Sequence, residues 1–250
     1  MINDKTGRIV WHDLFTGGRQ GAMAFYERVA GWTYQIEHAT DFAWGGGEKD
    51  FVLALLDEEA GAGFAETPPE LSNGWIAYVE VRDVDATVAR VEGLGGTIVR
   101  HPFEVPGVGR NALVRDPLGA LIGISLSRHS FPAPQKQFGP EVYLSDTGFP
   151  EAFYKSLLGW TTGSPRSGPQ GDDIAGPSGD IVAIHLSGKL QNGDGSVWLP
   201  SLKVAEPKAA IHAAEALGAK PCGPVSPGPA KPPYALLYDP DGASFCLRNA

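Results

Sequence analysis

Cysteine is scarce in this chain, and long apolar runs are missing altogether. Cys222 and Cys246 are the only cysteines among 250 residues, too few for a disulfide framework, so a reducing cytoplasm is the expected location. The residues after Met1 lack the apolar core of a signal peptide, which favours the same location. Since no apolar run approaches the roughly 20 residues of a membrane span, no membrane partner is expected.

Positive charge is also in short supply. The formal net charge is -9, with 20 Lys and Arg against 29 Asp and Glu, and no basic run occurs. Because nucleic acids bind to positive faces, a nucleic-acid partner is not expected. The 33 glycines and 21 prolines favour many short strands joined by turns. With 42% hydrophobic residues, a chain of this length can form two domains.

The sequence repeats itself in two interleaved ways. Residues 24–32 and 152–160 both read Ala-Phe-Tyr, four residues, then Gly-Trp, which indicates a helix end capped by a left-handed glycine. The second repeat relates residues 83–96 to 206–219, residues 115–120 to 238–243, and Trp75 to Trp198. This order predicts four modules, A, B, A′ and B′, of about fifty to sixty residues each.

The hydrophobic pattern of module A predicts a strand, a helix and three further strands. These elements are expected at residues 9–15, 19–29, 33–37, 42–44 and 51–56, and a loop is expected at 61–73. Residues 128–137 hold Pro132 and Pro134 without any periodicity and are therefore a predicted linker. The expected domains are residues 1–127 and 138–250, with two modules in each.

Several of these motifs together carry a family resemblance. They are Trp11-His12-Asp13-Leu14, the helix end Ala24-Phe25-Tyr26 with Gly31-Trp32, the helix start Asp83-Val84-Asp85, the helix exit Leu94-Gly95-Gly96, and Asp116-Pro117-Leu118-Gly119-Ala120. In this order the chain resembles the vicinal oxygen chelate superfamily of glyoxalases, bleomycin resistance proteins and extradiol dioxygenases. It is most similar to two-domain glyoxalase-like proteins labelled hydroxylase or 27 kDa antigen. The resemblance implies an α+β fold in which four βαβββ modules form two domains, each a U-shaped mixed sheet around a cleft.

Enzymes of that superfamily hold a divalent metal in the cleft, usually with His, Gln or Glu ligands. By the resemblance, the ligand positions of the two domains fall on Trp11, Ile76, Gly123, Gly139, Leu199 and Cys246. Only the last could bind a metal, and a lone thiol does not suit a site of oxygen and nitrogen ligands. No cofactor is therefore expected. A divalent metal is the alternative, with His12, His185 and Glu141 as ligands if the strand registers differ.

Strand alternation places a different set of side chains on the inner faces. In the first domain the set includes Trp11, Asp13, Phe15, Tyr78 and Ser125, and in the second Glu141, Tyr143, Lys203 and Arg248. Aromatic residues with a few polar groups are typical of a small-molecule site. Asp13 and Glu141 fall at equivalent positions, and each is a candidate general base with a raised pKa, or a polar anchor. The alternative is a buried carboxylate satisfied by a donor, which for Glu141 could be Lys203.

Four functions stay open on this sequence. The first is an enzyme that acts on a small aromatic or cyclic metabolite without the family's usual metal. The second is a binding protein of the bleomycin-resistance type, which sequesters a compound without chemistry. A metal-dependent lyase or dioxygenase with shifted ligands, and a structural role for one degenerate domain, complete the alternatives. A monomer and a homodimer are both compatible with the sequence.

Overall fold

The computed structural model describes residues 5–44, 46–69, 71–163, 171–191, 195–223 and 234–250. The elements of the first domain are β1 (Ile9–Thr16), α1 (Arg19–Ala30), β2 (Thr33–Ala39), β3 (Lys49–Leu56), β4 (Glu59–Glu66), β5 (Gly74–Glu80), α2 (Val84–Val88), a 3-10 turn (Glu92–Leu94), β6 (Thr97–Val105), β7 (Gly109–Arg115) and β8 (Leu121–Ser127). The elements of the second are β9 (Glu141–Ser145), α3 (Glu151–Leu158), β10 (Thr161–Thr162), β11 (Asp172–Ala175), β12 (Ile181–Ser187), β13 (Val197–Leu199), β14 (Ser201–Val204), α4 (Pro207–Ala216), β15 (Lys220–Pro221), β16 (Tyr234–Tyr238) and β17 (Ser244–Asn249). In this described part of the chain, no helix is long and apolar enough to cross a membrane.

One eight-stranded mixed sheet forms the first domain, in the order β2-β3-β4-β1-β5-β8-β7-β6. The first strands of modules A and B, β1 and β5, are antiparallel neighbours at its centre. Each also pairs in parallel with the last strand of its own module, β4 or β8. The α+β class and the βαβββ modules predicted from the repeat are therefore confirmed.

The second domain divides the corresponding strands between a five-stranded and a four-stranded sheet. The division falls at Pro200, which stands between β13 and β14, whereas the first domain has Ala77 inside the unbroken β5. Proline lacks the N–H group that a ladder of strand hydrogen bonds requires. The Pro200 carbonyl instead accepts a hydrogen bond from the backbone N–H of Cys246.

The helix-bearing faces of the two domains pack against each other. Phe25 and Tyr26 of α1 share a core with Phe245 and Leu247 of β17. A second core joins side chains of α2 to those of α3 in the same way. Each domain carries a separate apolar cluster on the opposite, inner face of its strands. The candidate clefts therefore lie on the sides of the sheets that face away from the interdomain cores.

Motif residues that carry the family resemblance make reciprocal hydrogen bonds between the domains. The Tyr26 hydroxyl donates to Oδ2 of Asp239 at 2.9 Å and accepts from Nε1 of Trp75 at 2.9 Å. In the repeat-related set, the Tyr154 hydroxyl donates to Oδ2 of Asp116 at 2.9 Å and accepts from Nε1 of Trp198 at 2.8 Å. Each Asp-Pro turn thus accepts a hydroxyl from the helix of the other domain. These motifs hold the domains together instead of forming the candidate cleft.

Two elements of module A differ from the sequence prediction. Residues 61–73, expected as a loop, include the end of β4. Gly63 lies in this strand. A Cβ there would meet Cζ of Phe51 at 2.0 Å, so the absence of a side chain makes room for the Phe51 ring. Residues 42–44, expected as a strand, form a turn outside the sheet. Its side chains are packed over the inner face of the sheet.

Candidate functional site

The inner face of the first domain is an aromatic surface with a buried carboxylate at its centre. Trp11, Asp13 and Phe15 alternate along β1 and point to this face, which is the register expected from counting back from α1. Asp13 is 5% exposed, and its Oδ1 accepts a hydrogen bond from Nε1 of Trp11 at 2.8 Å. Tyr78 of the neighbouring strand packs in the same cluster. The structure therefore brings the four residues together.

Burial sets the acidity of this carboxylate. Removal from water raises the pKa of Asp13 to about 6, and the hydrogen bond from Trp11 and the nearby Tyr78 and His12 offset that rise only in part. Burial, reinforced by the Asp13 charge, also raises the pKa of the Tyr78 hydroxyl well above its ordinary value. Near neutral pH, Asp13 is thus mostly ionised but is a stronger base than a solvated carboxylate. Such a group is suited to accept a proton.

Aromatic and cationic side chains cover this face from the side of β6 and the 42–44 turn. The Trp44 ring lies edge-on to Phe15 at 4.8 Å and to Phe103 at 5.1 Å between centroids. The Arg100 guanidinium lies 4.3 Å from the Trp44 ring centre and 3.6 Å from that of Phe103. Cation–π contacts of this kind gain strength when they are shielded from water.

Oδ1 of Asn111, a residue of β7, is buried on the inner face without a hydrogen-bond partner among the described residues. The Tyr78 hydroxyl makes no hydrogen bond of full geometry there, although it is close enough to Asp13 to lower the pKa of that carboxyl. Asn111 lies opposite Ser125 of β8, which is 3% exposed. Because unsatisfied buried polar groups cost about 1–3 kcal/mol each, a bound molecule that pairs with them gains affinity. Sequence reasoning missed Asn111, Arg100 and Phe103, since β6 and β7 carry none of the family motifs.

The residues at the superfamily's metal positions do not fit a metal. Trp11 and Ile76 offer no suitable donor atom, and the ring of Tyr78 fills the space beside Gly123. A Cβ at Gly123 would lie 2.2 Å from Cδ1 of Tyr78, so a glutamate could not stand there unless the ring moved. Within the described ranges, no group of three or more His, Cys, Asp or Glu residues is placed to hold a metal ion.

Replacement of Gly123 by alanine is expected to destabilise the protein by about 1–3 kcal/mol, because an added methyl group overpacks a filled interior. In a Tyr78→Ala background the further cost of Gly123→Ala should be smaller, since that background lacks the ring that the methyl meets. The measurement is urea unfolding of the single and double variants. Gly21→Ala is the control, because its new methyl on α1 meets nothing within 4 Å. Equal midpoints for Gly123→Ala and Gly21→Ala would contradict the packing described here.

The second domain departs from the predicted register by one residue. Tyr143 pairs with Trp198 as Leu14 pairs with Trp75, so the equivalent of Asp13 is Val142 and Glu141 corresponds to His12. The prediction that Glu141 and Tyr143 line the second cleft is therefore wrong. The connection from the strand to the helix is one residue shorter in module A′, and a slip of one residue moves a side chain to the opposite face. Tyr143 instead donates to Oδ2 of Asp116 at 2.8 Å, within the interdomain core.

A small cavity lies on the inner face of the second domain, lined by residues that the structure describes. It measures about 50 Å³, and its lining includes Ser201, Tyr234, Cys246 and Arg248. Burial raises the pKa of the Cys246 thiol to about 12, so the thiol is protonated and a poor nucleophile. Lys203 donates to the Gln135 carbonyl at 2.8 Å, away from this cavity. Of the predicted second-domain set, this leaves Arg248 at the cavity.

The alternative metal ligands are not assembled either. Nε2 of His12 lies 3.1 Å from Oε1 of Glu141, and both side chains are buried between the domains. His185 lies elsewhere, with Nε2 at 3.3 Å from the Ser145 carbonyl and Nδ1 at 3.7 Å from Oδ2 of Asp172. His12, His185 and Glu141 therefore do not form a common site. Cys246 does not complete one with Glu141 and His185, which lie away from its inner-face cavity.

Similarity to known proteins agrees with the fold and the repeat. The family model described as Glyoxalase/Bleomycin resistance protein/Dioxygenase superfamily matches residues 8–124, and that described as Glyoxalase-like domain matches residues 144–248. The chain is 27% identical over 270 residues to the "Anthracycline biosynthesis protein DauV" of Streptomyces sp. (strain C5), covering 99% of this chain and 94% of that protein. It is 35% identical over 137 residues to the "Putative glyoxylase CFP32" of Mycobacterium tuberculosis (strain CDC 1551 / Oshkosh). That match covers 54% of this chain and 48% of the relative, so the chain matches about half the length of CFP32.

Among solved structures, the 2,3-dioxygenase LapB from Pseudomonas sp. KL28 has a similar fold. The TM-score is 0.59 at 15% sequence identity, and the superposition covers 98% of this chain and 93% of LapB. At that identity the likeness concerns the fold alone. The two family models together span the strands and helices of both domains. The chain therefore belongs to the glyoxalase/bleomycin resistance protein/dioxygenase superfamily, as a two-domain glyoxalase-like protein.

Proposed function

We propose that the inner face of the first domain binds a compact aromatic or cyclic metabolite, and that Asp13 accepts a proton from it without the superfamily's usual metal. The observation that supports this most strongly is Asp13 itself, a buried carboxylate with a pKa of about 6 in an aromatic cluster. Structural carboxylates in this protein are saturated by donors, as Asp116 is by two tyrosines and two backbone N–H groups. Asp13 has fewer donors, namely a hydrogen bond from Trp11 and a weaker interaction with the Tyr78 hydroxyl.

The surroundings of Asp13 suit an aromatic ligand. Without a metal to chelate oxygens, affinity would come from apolar burial, at roughly 25 cal/mol per Å² of apolar area, and from stacking. Phe15, Trp44 and Phe103 supply the rings, and the Tyr78 hydroxyl and Asn111 carbonyl supply polar anchors. DauV is named for the biosynthesis of anthracyclines. That name supports a cyclic organic compound as the ligand class for this chain too.

Sequestration without chemistry is the second candidate. The Arg100 guanidinium lies against both the Trp44 and the Phe103 ring and forms with them a surface that could hold a planar compound. The two functions differ in whether a bound compound is changed. Product formation by chelator-treated protein would support proton transfer, and tight binding with unchanged ligand would support sequestration.

The expected effect of Tyr78→Phe separates a ligand-binding role from a structural one. Because the interaction of this hydroxyl with Asp13 falls short of a full hydrogen bond, its removal should change the free energy of unfolding less than Tyr26→Phe does. Binding of an aromatic metabolite found by a thermal-shift screen of chelator-treated protein should weaken about tenfold, as one hydrogen bond is lost.

Tyr26→Phe is the matched control for that experiment. Its hydroxyl bonds Asp239 and Trp75, so its removal should lower stability but not ligand affinity. If Tyr78→Phe lowers stability as Tyr26→Phe does, or leaves the affinity unchanged, the proposed site is wrong.

A further inference from the structure

A cavity of about 450 Å³ lies between the two domains, apart from both inner faces. The first domain contributes residues 8–10 and His12, and the second contributes Glu141, residues 180–182 and Lys203. Residues 133–135 and 138–140, which connect the domains, complete the wall. A volume of this size falls within the range of roughly 300–1,000 Å³ that is usual for small-molecule sites.

A buried histidine and a buried glutamate lie together at the inner end of this cavity. Their side chains are only 4% and 2% exposed, and Nε2 of His12 lies 3.1 Å from Oε1 of Glu141. The other carboxylate oxygen, Oε2, accepts the Ser201 backbone N–H at 3.1 Å. The His12 ring stacks on Phe138, with centroids 3.8 Å apart and planes within 15°. The pair is therefore fixed in position from three sides.

The bonding of Glu141 determines what His12 can offer to a ligand. An ionised carboxylate only accepts hydrogen bonds, so Nε2 of His12 carries the proton. The other ring nitrogen, Nδ1, has no hydrogen-bond partner within the described ranges. In the neutral ring Nδ1 accepts a hydrogen bond, and in the charged ring it donates one. A hydroxyl group satisfies Nδ1 in both states.

The more exposed part of the wall has unused cationic donors. Nη2 of Arg8 pairs with Asp180, while its Nε–H is buried without a partner among the described residues. Lys203 donates to the Gln135 carbonyl and has two further N–H groups. The two lining carboxylates, Glu141 and Asp180, are both already paired. The unmet hydrogen-bonding capacity is therefore that of donors, which suits an acceptor-rich anionic group.

We propose that this interdomain cavity is a second ligand site, for a small hydroxylated organic acid with an apolar body. The ligand carboxylate is held by Arg8 and Lys203, and its hydroxyl bonds Nδ1 of His12. Apolar side chains on both walls, among them Ile9, Val182 and Phe138, enclose the body between these two ends. The site is separate from the cleft around Asp13 and does not depend on the function proposed for that cleft.

The test is calorimetric titration of the full-length protein with 4-hydroxybenzoate, followed by benzoate and 4-hydroxybenzamide. We expect one molecule bound per chain, with benzoate weaker because it lacks the hydroxyl and 4-hydroxybenzamide weaker because it lacks the charge. Lys203→Met and Arg8→Gln should each weaken 4-hydroxybenzoate about tenfold or more, with thermal unfolding used to confirm that both variants are folded. Lys155→Met, which removes an exposed lysine of α3, should leave the affinity unchanged.

Comparison with Asp13→Asn assigns the bound molecule to one of the two sites. We expect Asp13→Asn to keep the part of the 4-hydroxybenzoate binding that Lys203→Met weakens, because Asp13 does not line the interdomain cavity. Affinity that falls in Asp13→Asn and persists in Lys203→Met would place the acid in the first-domain cleft and overturn the second site. Absence of binding at millimolar concentration, or equal binding of 4-hydroxybenzoate and 4-hydroxybenzamide, would overturn it as well. None of these outcomes bears on whether Asp13 accepts a proton from a different ligand.

Discussion

Asp116→Ala is expected to destabilise the protein by at least about 3 kcal/mol, because it leaves several buried donors unpaired. Oδ2 of Asp116 accepts the hydroxyls of Tyr143 and Tyr154, and Oδ1 accepts the backbone N–H groups of Leu118 and Ala120. Asp116 is 3% exposed, so water cannot replace these bonds without opening the interdomain core. Asp239→Ala should lower the free energy of unfolding by less, because Asp239 accepts one tyrosine hydroxyl whereas Asp116 accepts two.

Urea and thermal unfolding of these variants measure the effect. For a chain of this size, 3 kcal/mol corresponds to a fall in melting temperature of roughly 6–12 °C. Asp116→Asn should be milder than Asp116→Ala, because its carbonyl can still accept the turn N–H groups. Asp146→Ala is the control, since Asp146 is an exposed aspartate. If Asp116→Ala unfolds with the midpoint of Asp146→Ala, the network between the domains does not contribute as described.

The fold could be predicted because the repeat fixes the number and order of the modules. The aromatic and Asp-Pro motifs recur at regular offsets, and the same residues bond across the domain interface in the structure. What sequence reasoning could not supply was the geometry between elements. A connection one residue shorter in module A′ placed Glu141 and Tyr143 on the face opposite to the one expected. Conversely, the count from α1 placed Asp13 correctly, since no such difference arises within module A.

The candidate sites depend on contacts that no local pattern reveals. Gly63 resembles a loop glycine in the sequence, yet it lies in β4, at a position where the Phe51 ring leaves no room for a Cβ. The His12–Glu141 pair joins residues 129 positions apart and forms only when the two domains dock. Arg100 and Asn111 occupy strands without motifs, so only the completed sheet shows that they face Asp13. Periodicity assigns elements, whereas the pairing of buried polar groups is decided by tertiary packing.

Asp13→Asn is expected to stabilise the protein at neutral pH while abolishing the proposed proton transfer. Burial raises the pKa of Asp13 from 3.8 to about 6, so the folded state binds the Asp13 proton more tightly than the unfolded state does. Stability from this group is therefore fully present below about pH 4 and is lost as the pH rises through about 6. The loss amounts to about 3 kcal/mol, because one pKa unit corresponds to about 1.4 kcal/mol.

Asparagine keeps a carbonyl oxygen that accepts the Trp11 N–H, but it carries no charge to desolvate. The variant should thus unfold at a higher urea concentration than the unchanged protein at pH 8, with the difference vanishing near pH 4. Turnover of any substrate that requires a base should fall by about 10²–10⁴-fold. Asp146→Asn, at an exposed position, should change neither quantity. A variant that is less stable at pH 8, or equally active, would show that Asp13 is a structural carboxylate whose charge the fold requires.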